Sequence, residues 1–460
     1  MQIIVRDKLY IIDYPQSLLD WCNKYLVFPN PDYIKKQERG FWTGNVEREI
    51  VMYARMGDTI ILPYGCLEYF QKCNVVDETF HKQPYHIEYN SNIDLFDYQQ
   101  RAFDTAMKKC HGVIVMPCGS GKTQTALAIA SRLGLRTLWL THTHELLKQS
   151  LDRAKSCFDM PKEYYGTITQ GKIDIGQAIT FATVQTMSKI DLRPYTDYFD
   201  CVIVDECHKA IGTPSKMQMF YKVVSQLNAK YKFGLTATPE RADGLHRTMF
   251  ALLGNIIHTV TDEEVANNVV PVKVFVHKSS AFKITNEILN TDGTINYTGL
   301  INSLCLCEER NIEIAKLVNY LNSYGKTVLV LSDRVEHLSM IRQKVGLNYT
   351  AQINGATKSA ERDKALQGLK SRQLRCLFAT YGLVKEGQDI PSLDALILAT
   401  PHNDKISVVQ SLGRVARKYP GKEYGIAIDI VEQNHDIFFA LYNNRKKYYR
   451  EKKYIVKNFQ

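Results

Sequence analysis

The sequence predicts an α/β protein of two tandem parallel-sheet lobes, with a small α+β domain before them and a helix after. Three observations carry that expectation. A glycine-bearing loop separates an apolar run from a helical pattern at 113–133, an acidic pair follows the apolar run CVIV at 201–204, and two stretches alternate short apolar runs with polar, helix-like segments. Such alternation builds parallel sheets whose ligands sit at the strand carboxyl ends.

At 460 residues the chain is long enough for about three domains of ~150 residues. With 45% hydrophobic and 23% charged residues it has the composition of an ordinary soluble globular protein. No run approaches ~18 apolar residues, and charges interrupt the apolar N-terminal stretch. Neither a membrane span nor a signal peptide is expected, and the protein should stay in the cytoplasm where it is made. Eleven cysteines without a C-x-x-C pair fit a reducing compartment. Neither Cys305 with Cys307 nor His142 with His144 has the second pair of ligands that a zinc site needs. A formal charge of +10 favours an acidic polymer as partner.

Residues 1–91 read as a separate accessory domain, with apolar runs at 3–5 and 59–62 and turns in PNPDY and PYG. Lys35, Lys36 and Arg39 precede Phe41 and Trp42, a basic and aromatic cluster able to meet a nucleic-acid backbone and a base. A solvated loop beside a core tryptophan has the same composition.

The first lobe is assigned to 92–270. In NIDLFDYQQRA, Gln99 lies about twenty residues ahead of the glycine loop, where its amide can offer adenine both an acceptor and donors. The loop itself is VIVMPCGSGKT. Gly119, Ser120 and Gly121 turn backbone N–H groups onto phosphate oxygens, and the helix N-terminus behind them adds partial positive charge. Lys122 would reach the β- and γ-phosphates, and the Thr123 hydroxyl would meet Mg²⁺. Where this pattern usually opens with glycine, the chain has Met116. In CVIVDECH, Asp205 would hold Mg²⁺ through water and Glu206 would polarise the attacking water. KFGLTATP at 232–239 is a further strand, with Thr236 and Thr238 at its tip and Arg241 and Asp243 following as loop holders.

The second lobe is assigned to 271–430. Residues 271–297 read as a polar, turn-rich passage, and strands fall at 326–332, 375–380, 395–400 and 424–430, the last closing the sheet. ATYGLVKEGQDIP carries Thr380, Gly387 and Asp389. QSLGRVAR carries Gln410, Arg414 and Arg417 at i, i+4 and i+7, one face of a helix. Arginines from an opposite lobe can neutralise charge on a γ-phosphoryl group, an effect of ~10³–10⁵ in rate in other NTPases. The tail, 431–460, holds seven bases against three acids and should be helical, apolar toward Ile437, Phe438 and Leu441. Arg445, Lys446, Lys447 and Arg450 interleave there with Tyr448, Tyr449 and Tyr454, which suits phosphate and base contacts or, equally, a solvated basic helix docked on the lobe.

GSGKT, DECH, TATP and QSLGRVAR together resemble superfamily-two helicases of the DExH type, over about 95–429. The resemblance implies two RecA-like lobes that close on ATP and Mg²⁺, with Lys122, Asp205, Glu206, Gln410, Arg414 and Arg417 catalytic. His208, Thr236 and Thr238 would couple the phosphate site to a bound strand, Thr380 would touch nucleic-acid phosphate, and Gly387 and Asp389 would meet the ribose side of ATP. The layout and the phrase TATPERADG are similar to phage branch-migration helicases of the UvsW type. That likeness implies branched or forked DNA as substrate, a role in recombination, repair or replication alongside proteins of those processes, and a monomer acting on DNA. The domain before Leu95 would be the wedge or duplex holder. An RNA helicase shares every motif, because the core grips backbone, and a double-strand translocase would hydrolyse ATP without separating strands.

Overall fold

A computed structural model of the chain describes residues 1–70, 73–79, 86–117, 119–208, 214–239, 245–283, 295–385 and 390–459. They form two compact units, Met1–Thr261 and Asp262–Gln460. Among the described residues every cysteine is a free thiol, and no helix is long and apolar enough to cross a membrane.

The first unit opens with β1 (Gln2–Val5), β2 (Leu9–Ile12), β3 (Val27–Pro29), β4 (Glu49–Val51), β5 (Ala54–Met56), β6 (Thr59–Leu62) and β7 (Val75–Asp77). Five of these make a sheet in the order β5-β6-β2-β1-β7, and β3 pairs with β4. Period-two patterning drives the sheet, since Ile3, Val5, Leu9 and Ile11 are buried while the residues between them are not. Their core is not a private one. A single apolar cluster runs from Ile3 and Ile60 through Val113, Leu138 and Val202 to Leu253, so the accessory sheet is fused to the lobe that follows it. At Gly65 the two approach so closely that a Cβ would lie 2.3 Å from the Gly254 nitrogen.

Polar contacts lock the same seam. Lys230 pairs with Asp77 at 3.1 Å, and Tyr64 Oη donates to the Lys230 carbonyl at 2.7 Å. Lys232 is fully buried, donates to the Asp7 carbonyl at 3.2 Å and holds its Nζ 4.0 Å from the Tyr64 ring centroid. Burial pulls the Lys232 ammonium down to about 7, with the Asp7 carboxylate pulling the other way.

The first lobe adds β8 (His111–Val115), β9 (Thr137–Thr141), β10 (Tyr165–Thr169), β11 (Lys172–Asp174), β12 (Ile179–Thr183), β13 (Cys201–Val204), β14 (Tyr231–Thr236) and β15 (Ile256–Thr259). Their order is β11-β10-β12-β9-β13-β14-β8-β15, parallel except for the β10–β11 hairpin. β9, β12 and β13 are buried along their whole length, which is why they read as near-continuous apolar runs. β10, β11 and β15 were not expected. They lie toward the sheet's two edges and are too short and mixed for periodicity to show.

The second unit contains β16 (Val272–Ser279), β17 (Val328–Ser332), β18 (Thr350–Ile353), β19 (Cys376–Thr380), β20 (Ala395–Leu398), β21 (Gly425–Glu432) and β22 (Ile455–Asn458). The order is β18-β19-β17-β20-β21-β16-β22, with every pairing parallel. Two expectations are corrected here. Residues 272–279 are strand rather than linker, paired with β21 from Val272 opposite Gly425 to Ser279 opposite Glu432. VKVFVHKS alternates buried and open positions, a signal hidden by reading it together with the polar residues beyond it. Nor does 424–430 close the sheet, because β16 and β22 lie outside β21.

The tail makes the expected helix, Asp436–Glu451, and then supplies β22 to the sheet edge. Its chemistry departs from expectation. Arg445, expected on nucleic acid, is 1% exposed and grips Asp429 through Nε at 3.0 Å and Nη2 at 2.8 Å. Tyr449, one of the aromatics that interleave with Lys and Arg in a pattern suited to base contacts, is fully buried and donates to the same carboxylate at 2.7 Å. Docking this helix on β21 buries the Asp429 charge, and a guanidinium is the group whose paired N–H donors match a carboxylate. A second buried pair, Arg310 with Glu432 at 2.6 Å, holds the same strand. Lys447 and Arg450 are exposed and Lys446 is half-buried.

Arg445→Ala is expected to cost about 3–5 kcal/mol in urea unfolding by leaving a buried carboxylate unpaired, whereas Lys447→Ala should stay within about 0.5 kcal/mol. Lys232 gives a pH dependence of defined sign. Between about 7 and the ordinary lysine value of 10.5 the unfolded chain binds a proton that the folded one releases. This group's contribution therefore rises with pH across that window. Lys232→Met should flatten that rise in unfolding midpoints measured from pH 7 to 10.

Candidate nucleotide site

β8 leads into the glycine loop, and the helix Lys122–Leu133 leaves it. Gly119 and Gly121 have φ of 90° and 80°, the left-handed region that a side chain resists. Gly121 has a second reason to be glycine, for a Cβ there would lie 2.3 Å from Gln99 Nε2. Gln99 is 1% exposed, and both ends of its amide are engaged. Its Oε1 accepts from the Phe96 nitrogen at 2.9 Å, and its Nε2 donates to the Ser120 carbonyl at 2.8 Å. The side chain, expected to face adenine, braces the loop through these two bonds. Tyr98, to which the sequence assigned no task, adds a second brace by donating to the Ser120 carbonyl at 3.1 Å. Ser120 Oγ donates to the Pro117 carbonyl at 2.7 Å.

Lys122 Nζ lies 3.4 and 3.5 Å from the carbonyls of Met116 and Pro117, and 3.8 Å from Glu206 Oε1. Glu206 stands just past the end of β13 with φ 48°, an uncommon conformation for a residue with a Cβ. This turn aims its carboxylate at Lys122, a strained geometry of the kind that the surrounding structure must hold in place. Asp205, 6% exposed, accepts from Ser150 Oγ at 3.5 Å. No local pattern singled out Ser150; only the fold brings it there from 55 residues away.

A polar chain continues from Glu206. His208 is buried with Nδ1 3.3 Å from Glu206 Oε2 and 2.8 Å from Thr236 Oγ1. The Thr238 nitrogen in turn donates to Thr236 Oγ1 at 3.0 Å. The phosphate lysine, Glu206 and the TATP threonines, drawn from three strand ends, thus form one connected set.

In the second unit, Thr380 ends β19 half-buried, and Gln410 and Arg414 lie one turn apart on the helix Lys405–Val415. Arg417 departs from expectation. That helix stops at Val415, and Arg417 sits beyond it in an antiparallel bridge with Val269, so the i+7 register does not reach it. Gly387, Asp389, Arg241 and Asp243 lie outside the described residues.

Residues 92–241 match the family described as type III restriction enzyme, res subunit, and 311–419 match the helicase conserved C-terminal domain. A putative ATP-dependent RNA helicase of Acanthamoeba polyphaga mimivirus is 31% identical over 371 residues, covering 79% of this chain and 69% of its own length. The chain belongs to the superfamily-two helicases. This helicase is also 27% identical to the DNA 3′-5′ translocase XPB2 of Sulfurisphaera tokodaii, over 71% of the chain and 79% of that relative. Solved structures show the same fold of tandem RecA-like lobes. S. cerevisiae Dbp5 bound to RNA and ADP BeF3 aligns at TM-score 0.58 and 15% identity over 79% of this chain and 90% of that one. T4 UvsW aligns over 100% of this chain and 99% of its own at 18% identity, but at TM-score 0.43 the superposition adds nothing to that.

The enzyme is an ATP-dependent helicase, and its residues suit ATP with a divalent cation. Thr123 and Asp205 are hard oxygen donors, and among the described residues no group of three or more His, Cys, Asp or Glu gathers as a metal cage. That is the donor set of Mg²⁺, which takes one or two protein oxygens and completes its shell with phosphate and water. Bound Mg²⁺ would draw charge from the β- and γ-phosphate oxygens. Lys122 would bind those phosphates, and Glu206 would take the proton of the attacking water. Lys122→Ala and Glu206→Gln should each lower ATP turnover at least ~10²-fold in a phosphate-release assay. Glu206→Gln is expected to keep nucleotide affinity within a few-fold.

Proposed function

We propose that this helicase is a DExH-type DNA motor that remodels branched or forked DNA, by branch migration, fork regression, or R-loop or junction unwinding, in recombination, repair or replication. The observation that carries the motor part is the connected set Lys122, Glu206, His208, Thr236 and Thr238. A change at the γ-phosphate alters what Glu206 accepts, and the alteration reaches the threonine tip of β14 through two short polar contacts. The second lobe would supply Gln410, Arg414 and Arg417 to complete ATP hydrolysis when the lobes close, and Thr380 would hold a backbone phosphate. Gly387 and Asp389 would meet the ribose.

Support for DNA comes from the translocase relative. Lys35, Lys36, Arg39 and Trp42 on the accessory domain, and Lys446, Lys447 and Arg450 on the tail, are the proposed nucleic-acid contacts. The working division is 1–91, 92–270, 271–430 and 431–460, with a monomer as the acting form in the cytoplasm. The mimivirus relative's name favours RNA as a second reading.

ATPase stimulation and strand displacement on blunt duplex, forks, four-way junctions and RNA duplex decide between these. Forks and junctions should stimulate best, and stimulation by RNA above that by DNA would sink the DNA reading. Arg414→Ala is expected to lower kcat about 10³-fold with ATP affinity kept within a few-fold.

A further inference from the structure

Between β3 and β4 the chain leaves the accessory domain and returns, and the excursion is built to hold its shape. Asn30, 5% exposed, closes the base. Its Oδ1 accepts from the Asp32 nitrogen at 3.0 Å to start the helix Pro31–Glu38, its Nδ2 donates to the Glu47 carbonyl at 2.8 Å, and its own nitrogen donates to the Arg48 carbonyl at 3.1 Å. The helix ends on Gly40 at φ 66°, with the Phe41 nitrogen bonded back to the Lys36 carbonyl at 2.8 Å. Phe41 and Trp42 follow at once, 61% and 72% exposed.

The exposed Trp42 indole lies over Gly44. A Cβ on Gly44 would lie 2.4 Å from its Cζ2 and 2.6 Å from its Cε2, so the indole rests on the one residue type that leaves room for it. Lys35, Arg39 and Arg48 are exposed and Lys36 is half-buried, and among the described residues none of the four is ion-paired. The root lies in the core shared with the first lobe. Phe28 faces Ile50 across the β3–β4 ladder, and both belong to the apolar cluster that contains Val113 and Val204.

An aromatic pair held open beside unpaired cations has one complementary partner among polyanions: a strand whose bases are free to stack. We propose that residues 30–48 form a strand-separating finger. Trp42, with Phe41, stacks on the unpaired base at the mouth of a duplex, and Lys35, Lys36 and Arg39 hold the flanking phosphates. The inference rests on the nucleic-acid motor reading above and names the part that meets the junction.

The other two tryptophans are Trp139, fully buried, and Trp21, partly buried, so emission changes on binding report chiefly on position 42. A fork with unpaired arms should quench the emission of the wild-type protein and a blunt duplex should not. W42F should abolish the quench. In strand displacement W42A should slow fork opening about tenfold, W42F by less than about threefold because a ring remains, and G44A, which displaces the indole without removing it, by an intermediate factor. A quench that survives in W42F, fork opening by W42A at the wild-type rate, or an emission response to protein partners but not to forks would each overturn the finger. If W42A opens forks normally while K122A has lost ATP turnover, the finger fails and the motor stands. If K122A still hydrolyses ATP, the motor reading itself fails.

Discussion

The structure depends most on the backbone of the glycine loop being held open at its exit. Gly121 takes a left-handed conformation directly beneath Gln99, and the Ser120 carbonyl accepts from both Gln99 and Tyr98. That carbonyl would otherwise compete for the inward-facing donors that make the loop an anion cradle. The helix that carries these braces therefore sets the shape of a loop it does not belong to. An amide engaged at both ends in this way is a structural element of the loop.

β14 links two features that look unrelated in sequence. Near one end, Lys232 is buried against Asp7 and Tyr64 of the accessory sheet, and at the other Thr236 accepts from Thr238 and contacts His208. A six-residue strand in the middle of a parallel sheet is stiff. The accessory sheet and the coupling threonines are thus tied to one rod, and the strained Glu206 meets it through His208. Placing strain at Glu206 is affordable because β13 on one side and the buried His208 on the other over-determine the turn.

The second unit shows how charge misleads when depth is unknown. Seven bases in the last segment suggested an electrostatic surface, yet Arg445 neutralises Asp429 inside the fold, and Lys452 pairs with Asp262 at 2.8 Å. Two buried ion pairs on β21, Arg445 with Asp429 and Arg310 with Glu432, fix how the tail helix and the helix Glu308–Ser323 dock on that strand. Pairs of this kind do little for net stability compared with apolar packing, and they penalise every arrangement that separates them.

The sequence by itself determined the α/β class, the central strands and the phosphate loop. Strands buried on both faces must be apolar throughout, and a loop that cradles phosphate needs glycines and a lysine at fixed spacing, so both leave local marks. β16 leaves a mark too, in the alternation of VKVFVHKS, but that mark reads as part of a polar passage. Only the tertiary structure decided that Gln99 braces the glycine loop, that Arg417 falls past its helix, and that Ser150 reaches Asp205. The reason is physical: burial, the end of a helix and contact between residues far apart in the chain depend on what packs against what, and a charged or amide side chain looks the same in sequence whether it faces water or a buried partner.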